Sequence, residues 1–425
     1  MAGKKILVVG SGGREHTIVW KLAQSNKVEK IYCAPGNGGI ADLAECVDIK
    51  AMDIDGMVNF AVENAIDMVM VAPDDPLAAG MVDAMEAKGI RAFGPNKAAA
   101  IIEGSKKFSK DLMKKYNIPT AAYEVFDDSE KAIEYIDKNS LPIVIKADGL
   151  ALGKGVIIAN TRDEAVKAVK DMIDDKQFGD SGSRVVIEEF MTGPEVSILA
   201  FTDGKVVKPM VSSQDHKRAY DNDEGLNTGG MGTVSPSRIY DEKLAEYCME
   251  NLFVPTINAM NAEGRTFKGV LYFGLMITKD GPKILEYNAR FGDPETQVVL
   301  PRLRTDLYDI FDAIIDERLE ELDIEWDDGA CVCVVMASGG YPGKYTTGYE
   351  ISGLDNFKDS ENITVFHAGT KKQDGKIVTA GGRVLGITAK ADNLDEAIKE
   401  SYKAVSKVSF KDAHFRKDIG IKKYN

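Results

Sequence analysis

Short apolar stretches alternate with amphipathic helical stretches at the start of the chain, and this alternation constrains the fold most strongly. Residues 4–9 read as a buried strand that runs directly into a glycine loop, and Ile18, Val19 and Leu22 follow at helical spacing. Three further apolar stretches end in turn-forming residues, at 30–33, 67–72 and 90–93. Strands that alternate with helices and carry loops at their carboxyl ends indicate a parallel sheet. We therefore expect an N-terminal parallel α/β domain over residues 1–103.

The rest of the chain shows a central region and a smaller C-terminal region. A strand at 143–146 leads into the glycine loop 148–155, and a hairpin is predicted over 269–288. A polar stretch at 212–236 has little helical or strand pattern. Loops of this length are uncommon unless they are functional or disordered, and its charged residues favour function. The predicted domains are a central one over 104–326, a subdomain within it at about 123–192, and a mixed α+β domain over 327–425.

Composition argues against several classes of function. A net charge of -14 and a pI near 5.0 disfavour a broad nucleic-acid-binding surface, which needs clustered positive charge. No apolar run approaches the roughly 20 residues of a membrane span. Five cysteines without a C-x-x-C pair are typical of a reducing compartment, and Cys331 and Cys333 are expected to be buried thiols rather than metal ligands. We therefore expect a soluble, cytoplasmic protein.

The segment at 285–296, L-E-Y-N-A-R-F-G-D-P-E-T, gives the strongest indication of a chemical function. Glu286 and Asn288 lie two apart at the end of a predicted strand, so both side chains point to one face. A carboxylate and an amide oxygen are ligands that Mg²⁺ accepts together with nucleotide phosphates and water. Arg290 shares that face if the strand continues, where it could reach the same phosphates or a developing oxyanion. An isolated E-x-N is usually a strand running into a polar turn, but its neighbours here favour a functional site.

The glycine loop after the first strand is a candidate phosphate site. Glycines at a helix N-terminus offer free N–H groups to an anion, and Arg14 adds a cation. The dinucleotide-binding pattern fails because Glu15 replaces its third glycine and Cys33 stands where an acid would hold the ribose. Two interpretations of this loop remain: it binds a smaller anion, or it is a tight turn without a ligand.

Two lysines and an acidic strand end are candidates for binding a nucleotide. Lys146 ends a strand and Lys154 lies in the glycine loop after it, but Gly155 excludes a Walker pattern. Glu188-Glu189-Phe190 could give adenine its backbone hydrogen bonds, with Glu195 accepting from ribose hydroxyls. The alternative is an acidic strand edge that discourages association between sheets.

His216, within Q-D-H-K-R, could be read as a general base. The sequence near His216 shows no serine or cysteine nucleophile and no acid at a spacing that would indicate a catalytic triad. The chain has four histidines and none is paired in sequence, so substrate positioning is the favoured role.

These motifs, in this order, resemble the phosphoribosylamine–glycine ligase family of the ATP-grasp superfamily. The resemblance covers essentially the whole chain, and the R-F-G-D-P-E-T segment is its most specific part. The segments that carry it are G-S-G-G-R-E-H, A-P-G-N-G-G, F-G-P, I-E-G-S-K, I-K-A-D-G-L-A-L-G-K-G, V-I-E-E-F-M-T-G-P-E, S-Q-D-H-K-R, N-T-G-G-M-G, G-L-M-I, E-Y-N-A-R-F-G-D-P-E-T, G-G-Y-P-G, F-H-A-G-T and G-G-R-V-L.

The resemblance implies that ATP, glycine and 5-phosphoribosylamine are converted to glycinamide ribonucleotide, ADP and phosphate, an early step of purine synthesis. In this family the glycine carboxylate attacks the γ-phosphorus, and the sugar amine takes the resulting glycyl phosphate. The central domain should then have the ATP-grasp fold, with the subdomain at 123–192 as a lid and Mg²⁺ or Mn²⁺ as the metal. The implied partners are these small molecules, without nucleic acid or membrane. A monomer is expected, with a dimer as the alternative.

Site residues follow from the resemblance position by position. ATP phosphates are expected at Lys106, Lys146 and Lys154, adenine and ribose at Glu188, Phe190 and Glu195, and the metal ion at Glu286 and Asn288. The expected catalytic residues are Arg290 and Lys217. The substrate side is expected at Gly10, Gly12, Gly13, Arg14, Glu15, Asp293 and Pro294, and in the pocket-lining loop at Asp215 and His216.

Two positions depart from the expected pattern. The strand before Glu286 carries no second acidic metal ligand, so fewer or more loosely held metal ions are expected. Asp74 and Asp75 stand where Glu followed by a small residue is expected, so that loop is assigned no role.

Three other functions are consistent with parts of the sequence. The first is an ATP-grasp ligase or carboxylase with a different carboxylate and amine. The second is a nicotinamide-dependent oxidoreductase that uses the first domain, although the glycine pattern counts against it. The third is a nucleotide-binding regulator, which would bind ATP without turnover.

Overall fold

A parallel sheet forms the N-terminal domain, as predicted. The structure is a computed structural model that describes residues 3–150 and 155–421. The elements of this domain are β1 Lys4–Gly10, α1 Gly13–Leu22, β2 Val28–Pro35, β3 Glu45–Cys46, α2 Ile54–Glu63, β4 Met68–Val71, α3 Asp74–Ala79, α4 Met81–Glu86 and β5 Arg91–Phe93. The five strands run in the order β3-β2-β1-β4-β5, all parallel. Ile6, Leu7, Val8 and Val9 of β1 are fully buried, because helices cover both faces of the sheet.

A small antiparallel sheet with two helices forms the subdomain that follows. Its elements, preceded by two connecting helices, are α5 Lys97–Gly104, α6 Lys106–Lys115, β6 Tyr123–Phe126, α7 Ser129–Ile136, β7 Ile143–Ala147, β8 Val156–Ala159, α8 Arg162–Ile173 and β9 Val185–Glu189. The strand order is β6-β9-β7-β8. Side chains cap the helices: Ser105 accepts from the Phe108 N–H at the start of α6, and Thr161 accepts from the Glu164 N–H at the start of α8.

A second antiparallel sheet carries the E-Y-N segment. The elements of this region are β10 Glu195–Thr202, β11 Val207–Pro209, β12 Gln214–Asp215, β13 Arg218–Tyr220, β14 Glu224–Asn227, β15 Gly232–Ser235, α9 Glu242–Cys248, α10 Val254–Ala262, β16 Gly269–Thr278 and β17 Gly281–Asn288. The predicted hairpin at 269–288 is confirmed as β16–β17, within the order β11-β10-β16-β17. A π-helical segment, Met249–Phe253, lies between α9 and α10.

The C-terminal domain is mixed α+β, as expected. Its elements, with two helices that lead into it, are α11 Thr296–Val299, α12 Leu307–Ile315, β18 Ala330–Ala337, β19 Ile363–His367, β20 Thr370–Gln373, β21 Lys376–Thr379, β22 Arg383–Ala391 and α13 Leu394–Val405. Cys331 and Cys333 of β18 are fully buried free thiols, which confirms that prediction. In the ranges that the structure describes, no helix is long and apolar enough to cross a membrane.

The stretch at 212–236 is more ordered than its sequence suggests. The expectation of little strand structure is wrong, since the stretch contains β12, β13, β14 and β15. Strands β12 and β15 join the C-terminal sheet, whose order is β12-β15-β18-β22-β19. Thr233 of β15 pairs with Cys333 of β18, so the partner that makes this segment a strand lies far away in the chain. This pairing brings the Q-D-H-K-R segment against both the central and the C-terminal sheets.

Candidate functional site

The carboxylate of Glu286 is the centre of the candidate site. It lies near the end of β17, and the Nζ atom of Lys217 lies 3.6 Å from its Oε1 atom. The same Lys217 ammonium lies 3.2 Å from Oε2 of Glu195, the first residue of β10. Burial raises the pKa of Glu286, but Lys217, Lys146 and Lys106 more than offset this and hold that pKa below its usual range. Three lysines from distant segments therefore act on one carboxylate.

Arg290 lies beside this carboxylate and is already engaged by protein groups. Its Nη2 atom lies 3.0 Å from Oε1 of Glu103 and donates to Oδ1 of Asn288 at 3.2 Å. Its Nε atom is buried and has no hydrogen-bond partner within the described ranges. Burial lowers the pKa of Arg290, but Glu103 and then Asp74 more than offset it, so the guanidinium stays charged. The sequence indicated Arg290 but neither of these two acids.

Glu286 and Asn288 present oxygen atoms that fit a hard divalent cation. They pair with Gly274 and Tyr272 of β16, so they lie on one face of the sheet. A Cβ at Gly274 would lie 3.1 Å from Cγ of Glu286, so this glycine leaves room for the carboxylate. Asn288 Oδ1 has a second lone pair besides the one that accepts from Arg290. Among residues 3–150 and 155–421 there is no group of three or more His, Cys, Asp or Glu suited to a metal. A cation here would therefore take its other ligands from phosphate and water.

The predicted phosphate-binding lysine Lys146 is held by a buried ion triad. Its Nζ lies 2.9 Å from Oε1 of Glu188, and Nζ of Lys110 lies 2.9 Å from Oε2 of the same carboxylate. Burial lowers the pKa of Lys110 to about 8, with Glu188 acting in the opposite direction. The Glu188 side chain therefore positions Lys146, and its expected contact with adenine or ribose stays a prediction. Lys110 was missed because nothing in its local sequence indicates a partner on a distant strand.

Two other nucleotide candidates lie around the same lid. Lys106 donates to the carbonyl oxygen of Gly149 at 3.0 Å, at the start of the glycine loop, and burial lowers the pKa of its ammonium. Phe190 follows β9 and is 38% exposed. Lys154 lies outside the described residues. The adenine and ribose contacts of Phe190 and Glu195 stay predictions.

The N-terminal glycine loop is arranged by the residue that breaks the dinucleotide pattern. Oε2 of Glu15 accepts a hydrogen bond from the Gly12 N–H at 2.6 Å, and its Oε1 lies 2.7 Å from Nε of Arg14. A Cβ at Gly12 would lie 2.7 Å from Oε2 of Glu15, so a larger residue there would displace this carboxylate. Gly10 has a φ of +122°, a conformation that favours glycine. The Glu15 carboxylate is thus bonded within the loop and orients Arg14, and its expected contact with substrate stays a prediction.

Asp293 brings the glycine loop and the C-terminal domain together. A Cβ at Gly12 would lie 3.3 Å from Oδ2 of Asp293, and Nη2 of Arg383 lies 3.3 Å from that same oxygen. Arg383 also donates to the Asp293 carbonyl at 2.8 Å. Burial raises the pKa of Asp293, but Arg383 and then Arg14 more than offset it. Gly13 lies against Gln297, since a Cβ there would lie 2.5 Å from Nε2. The sequence had given no role to Arg383.

Asp215 and His216 are neighbours in sequence but have different surroundings. Asp215 and Pro294 meet across Gly230, where a Cβ would lie 2.4 Å from Cδ of Pro294 and 2.6 Å from Oδ1 of Asp215. His216 is buried; its Nδ1 donates to the Gly232 carbonyl at 3.1 Å and its Nε2 accepts from the Gly420 N–H at 3.1 Å. Both ring nitrogens are therefore bonded to backbone, and the expected place of His216 in the substrate pocket stays a prediction.

The buried His216 should make stability depend on pH. Burial lowers its pKa to about 4, and unfolding returns it to near 6.5. The unfolded chain then binds more protons between pH 6.5 and 4, so the free energy of unfolding falls by about 3 kcal/mol as the pH drops through this window. A His216→Gln variant should lose that part of the dependence. Urea unfolding at several pH values measures both proteins, and parallel curves would contradict the assignment.

Comparison with known sequences gives one consistent family. Models described as the N domain, the ATP-grasp (A) domain and the C domain of phosphoribosylglycinamide synthetase match residues 4–103, 104–296 and 331–422. A phosphoribosylamine–glycine ligase of Halalkalibacterium halodurans is 52% identical over 417 residues, which cover 98% of this chain and 96% of that relative. One from Caldanaerobacter subterraneus is 50% identical and covers 98% of this chain and 99% of its own.

Solved structures agree with the sequence comparison. The phosphoribosylamine–glycine ligase of Thermotoga maritima matches with a TM-score of 0.84 at 34% identity, covering 98% of this chain and 100% of that one. The biotin carboxylase domain of the Hydrogenobacter thermophilus 2-oxoglutarate carboxylase shares the fold, with a TM-score of 0.77 at 16% identity over 98% of this chain and 92% of that one. The chain therefore belongs to the phosphoribosylamine–glycine ligase family, with an N-terminal parallel α/β domain, a central ATP-grasp domain and a C-terminal α+β domain.

Proposed function

We propose that the chain joins glycine to 5-phosphoribosylamine at the expense of ATP, giving glycinamide ribonucleotide, ADP and phosphate for purine synthesis. Family membership supports this reaction. The observation that carries it is the Glu286 carboxylate, which lies 3.6 Å from Lys217 Nζ and whose pKa is held low by Lys217, Lys146 and Lys106. A site that transfers a phosphoryl group to a carboxylate needs charge neutralisation and positioning rather than a protein nucleophile.

The first half-reaction is the activation of glycine. A carboxylate oxygen of glycine attacks the γ-phosphorus, the bond from that phosphorus to the ADP oxygen breaks, and glycyl phosphate and ADP form. Lys106 and Lys146 would neutralise the nucleotide phosphates, with Lys146 held by the buried Glu188 carboxylate. Lys217 and Arg290 would stabilise charge on the transferring group, since both are cationic and border Glu286.

The second half-reaction forms the amide. The amine of phosphoribosylamine attacks the acyl carbon, the carbon–nitrogen bond forms, the bond to the phosphate oxygen breaks, and the amine loses a proton. Gly12, Arg14 and Asp293 would bind the sugar phosphate and its amine, since they meet where the N-terminal loop approaches the D-P-E turn. Asp215 and Pro294 would close the same pocket from the C-terminal side.

Glu286 and Asn288 would hold Mg²⁺ or Mn²⁺. When bound there, the cation supplies further neutralisation of phosphate charge. Lys217 pairs with Glu286 and Arg290 donates to Asn288, so both side chains are oriented by neighbouring cations. We further propose a cytoplasmic location, supported by five free cysteines, and a monomeric state with a dimer as the alternative.

Isotope transfer tests the proposed reaction directly. With glycine labelled by ¹⁸O in both carboxylate oxygens, one label should appear in inorganic phosphate for each turnover, because the attacking oxygen leaves with phosphate. The product phosphate is analysed by mass spectrometry, with labelled alanine as the matched control substrate. Unlabelled phosphate would contradict the acyl phosphate step. Turnover with alanine but not glycine would favour a different ATP-grasp ligase, and ATP binding without turnover would favour a regulator.

A further inference from the structure

The C-terminal segment 414–420 runs along the loop that carries Lys217. His414 Nε2 donates to the Ala219 carbonyl at 2.7 Å, and the Gly420 N–H donates to His216 Nε2 at 3.1 Å. Other hydrogen bonds between the two segments are Lys417 N–H to Asp221 Oδ1 at 2.7 Å and Asn222 N–H to Asp418 Oδ2 at 2.8 Å. The segment therefore contacts the loop on both sides of Lys217.

Arg416 is the centre of this contact. Its side chain is 1% exposed, and its Nε and Nη2 atoms each lie 2.8 Å from an oxygen of Asp418. The same guanidinium reaches Asp223 Oδ1 at 3.0 Å and the Arg218 carbonyl at 3.1 Å. A planar guanidinium can make these bonds in several directions at once, and an ammonium cannot. Arg416 thus joins the C-terminal segment to both the base and the tip of the β13–β14 hairpin.

The hairpin at 218–227 exposes much of its surface. Leu226 and Tyr220 are 67% and 51% exposed, and the ring contact of Tyr220 is to His414 of the same C-terminal segment, at 5.2 Å between centroids. Asn222 and Asp223 at its tip have φ values of 61° and 57°, which most side chains adopt at an energetic cost. A hairpin of this kind needs contacts from outside to hold one position.

We propose that segment 414–420 is a positioning element of the ligase reaction and that Arg416 is its main positioning residue. The inference rests on the proposed function, in which Lys217 faces the transferring group between Glu195 and Glu286. Loss of the Arg416 contacts frees the Arg218 carbonyl, next to Lys217, and Asp223 at the hairpin tip, so the Lys217 ammonium leaves the productive position. A small displacement of a catalytic group lowers kcat strongly, but it has less effect on the affinity for a nucleotide that other residues bind.

Two variants and one control test this role. Arg416→Lys keeps the positive charge but loses the several N–H donors of the guanidinium. Asp223→Ala removes a hydrogen-bond partner of Arg416 at the hairpin tip and leaves the hydrophobic core unchanged. Both should lower kcat about 10-fold or more while the KM for ATP changes less than about twofold. Arg318→Lys, at a partly exposed arginine paired with Asp312 and Asp316, is the matched control and should behave as wild type.

Hydrogen exchange supplies a readout that does not depend on activity. Peptides covering 216–228 should exchange faster in Arg416→Lys and Asp223→Ala, while peptides from β18 and β22 keep wild-type protection. Unchanged exchange at 216–228, or an unchanged kcat in both variants, would overturn the proposal. If Arg416→Lys unfolds the C-terminal sheet, Asp223→Ala decides the outcome. Wild-type turnover that does not depend on glycine would contradict the proposed function, whereas the exchange experiment would still test the positioning.

Discussion

Glu286→Gln should lower kcat/KM for ATP by roughly 100- to 1,000-fold, because the variant loses several kcal/mol of charge stabilisation in the site. Glutamine keeps the shape of the side chain but removes the charge that Lys217, Lys146 and Lys106 share. It also removes the one carboxylate that we assign to the metal ion. Steady-state kinetics over a range of Mg²⁺ and Mn²⁺ concentrations measure both effects, and Glu286→Ala should show the same loss with the fold intact.

The control for this prediction is Glu350→Gln. That carboxylate is on the surface of the C-terminal domain and lies 2.7 Å from Nζ of Lys376, so it tests the removal of one ion pair away from the site. Its kcat/KM should equal that of wild type, and circular dichroism should show that all three proteins are folded. Near-normal metal-dependent turnover by Glu286→Gln would contradict the assignment of Glu286.

Arg290→Lys should lower kcat roughly 100-fold while changing the KM for ATP by less than about threefold. The guanidinium donates in two directions, to Asn288 and to Glu103, and an ammonium cannot reproduce this fork. The unpartnered Nε atom leaves one more donor for a charge that develops during the reaction. Kinetics with ATP varied at saturating glycine separate the two parameters.

Arg162→Lys is the matched control for Arg290→Lys. Arg162 holds Asp137 on the surface of the lid through two bonds, of 2.6 and 3.0 Å, so the same chemical change is made away from the site. The melting temperature of each variant shows whether lost pairing with Glu103 disturbs the fold. A KM for ATP that rises while kcat is unchanged would mean that Arg290 binds ground-state nucleotide instead.

Local patterns predicted the parts of the site that short segments determine. The hairpin β16–β17 and its E-Y-N end follow from alternating side chains around a glycine turn, and the glycine loop after β1 follows from a strand running into a helix. Glu286, Asn288, Arg290 and the glycines could therefore be named before the fold was known. Lys217 required the resemblance, because nothing local distinguishes it from a solvated lysine.

Contacts between distant segments could not be predicted from local sequence patterns. The burial of His216 could not be predicted because the Gly420 N–H that bonds to its ring lies 204 residues away. Arg383 reaches Asp293 across 90 residues, and the strands within 212–236 exist because β18 pairs with them. Glu188 looked like a free acid because its partner Lys110 is on a helix of another part of the domain. Each miss involves a polar side chain whose partner is set by tertiary packing.

A crystal structure with a non-hydrolysable ATP analogue, glycine and Mg²⁺ tests the central claim most directly. We predict the triphosphate between the lid and β17, with Lys106 and Lys146 on its phosphates, a metal ion on Glu286 and Asn288, and the γ-phosphate facing Lys217 and Arg290. A triphosphate bound at the N-terminal glycine loop, away from the Glu286 carboxylate, would contradict it.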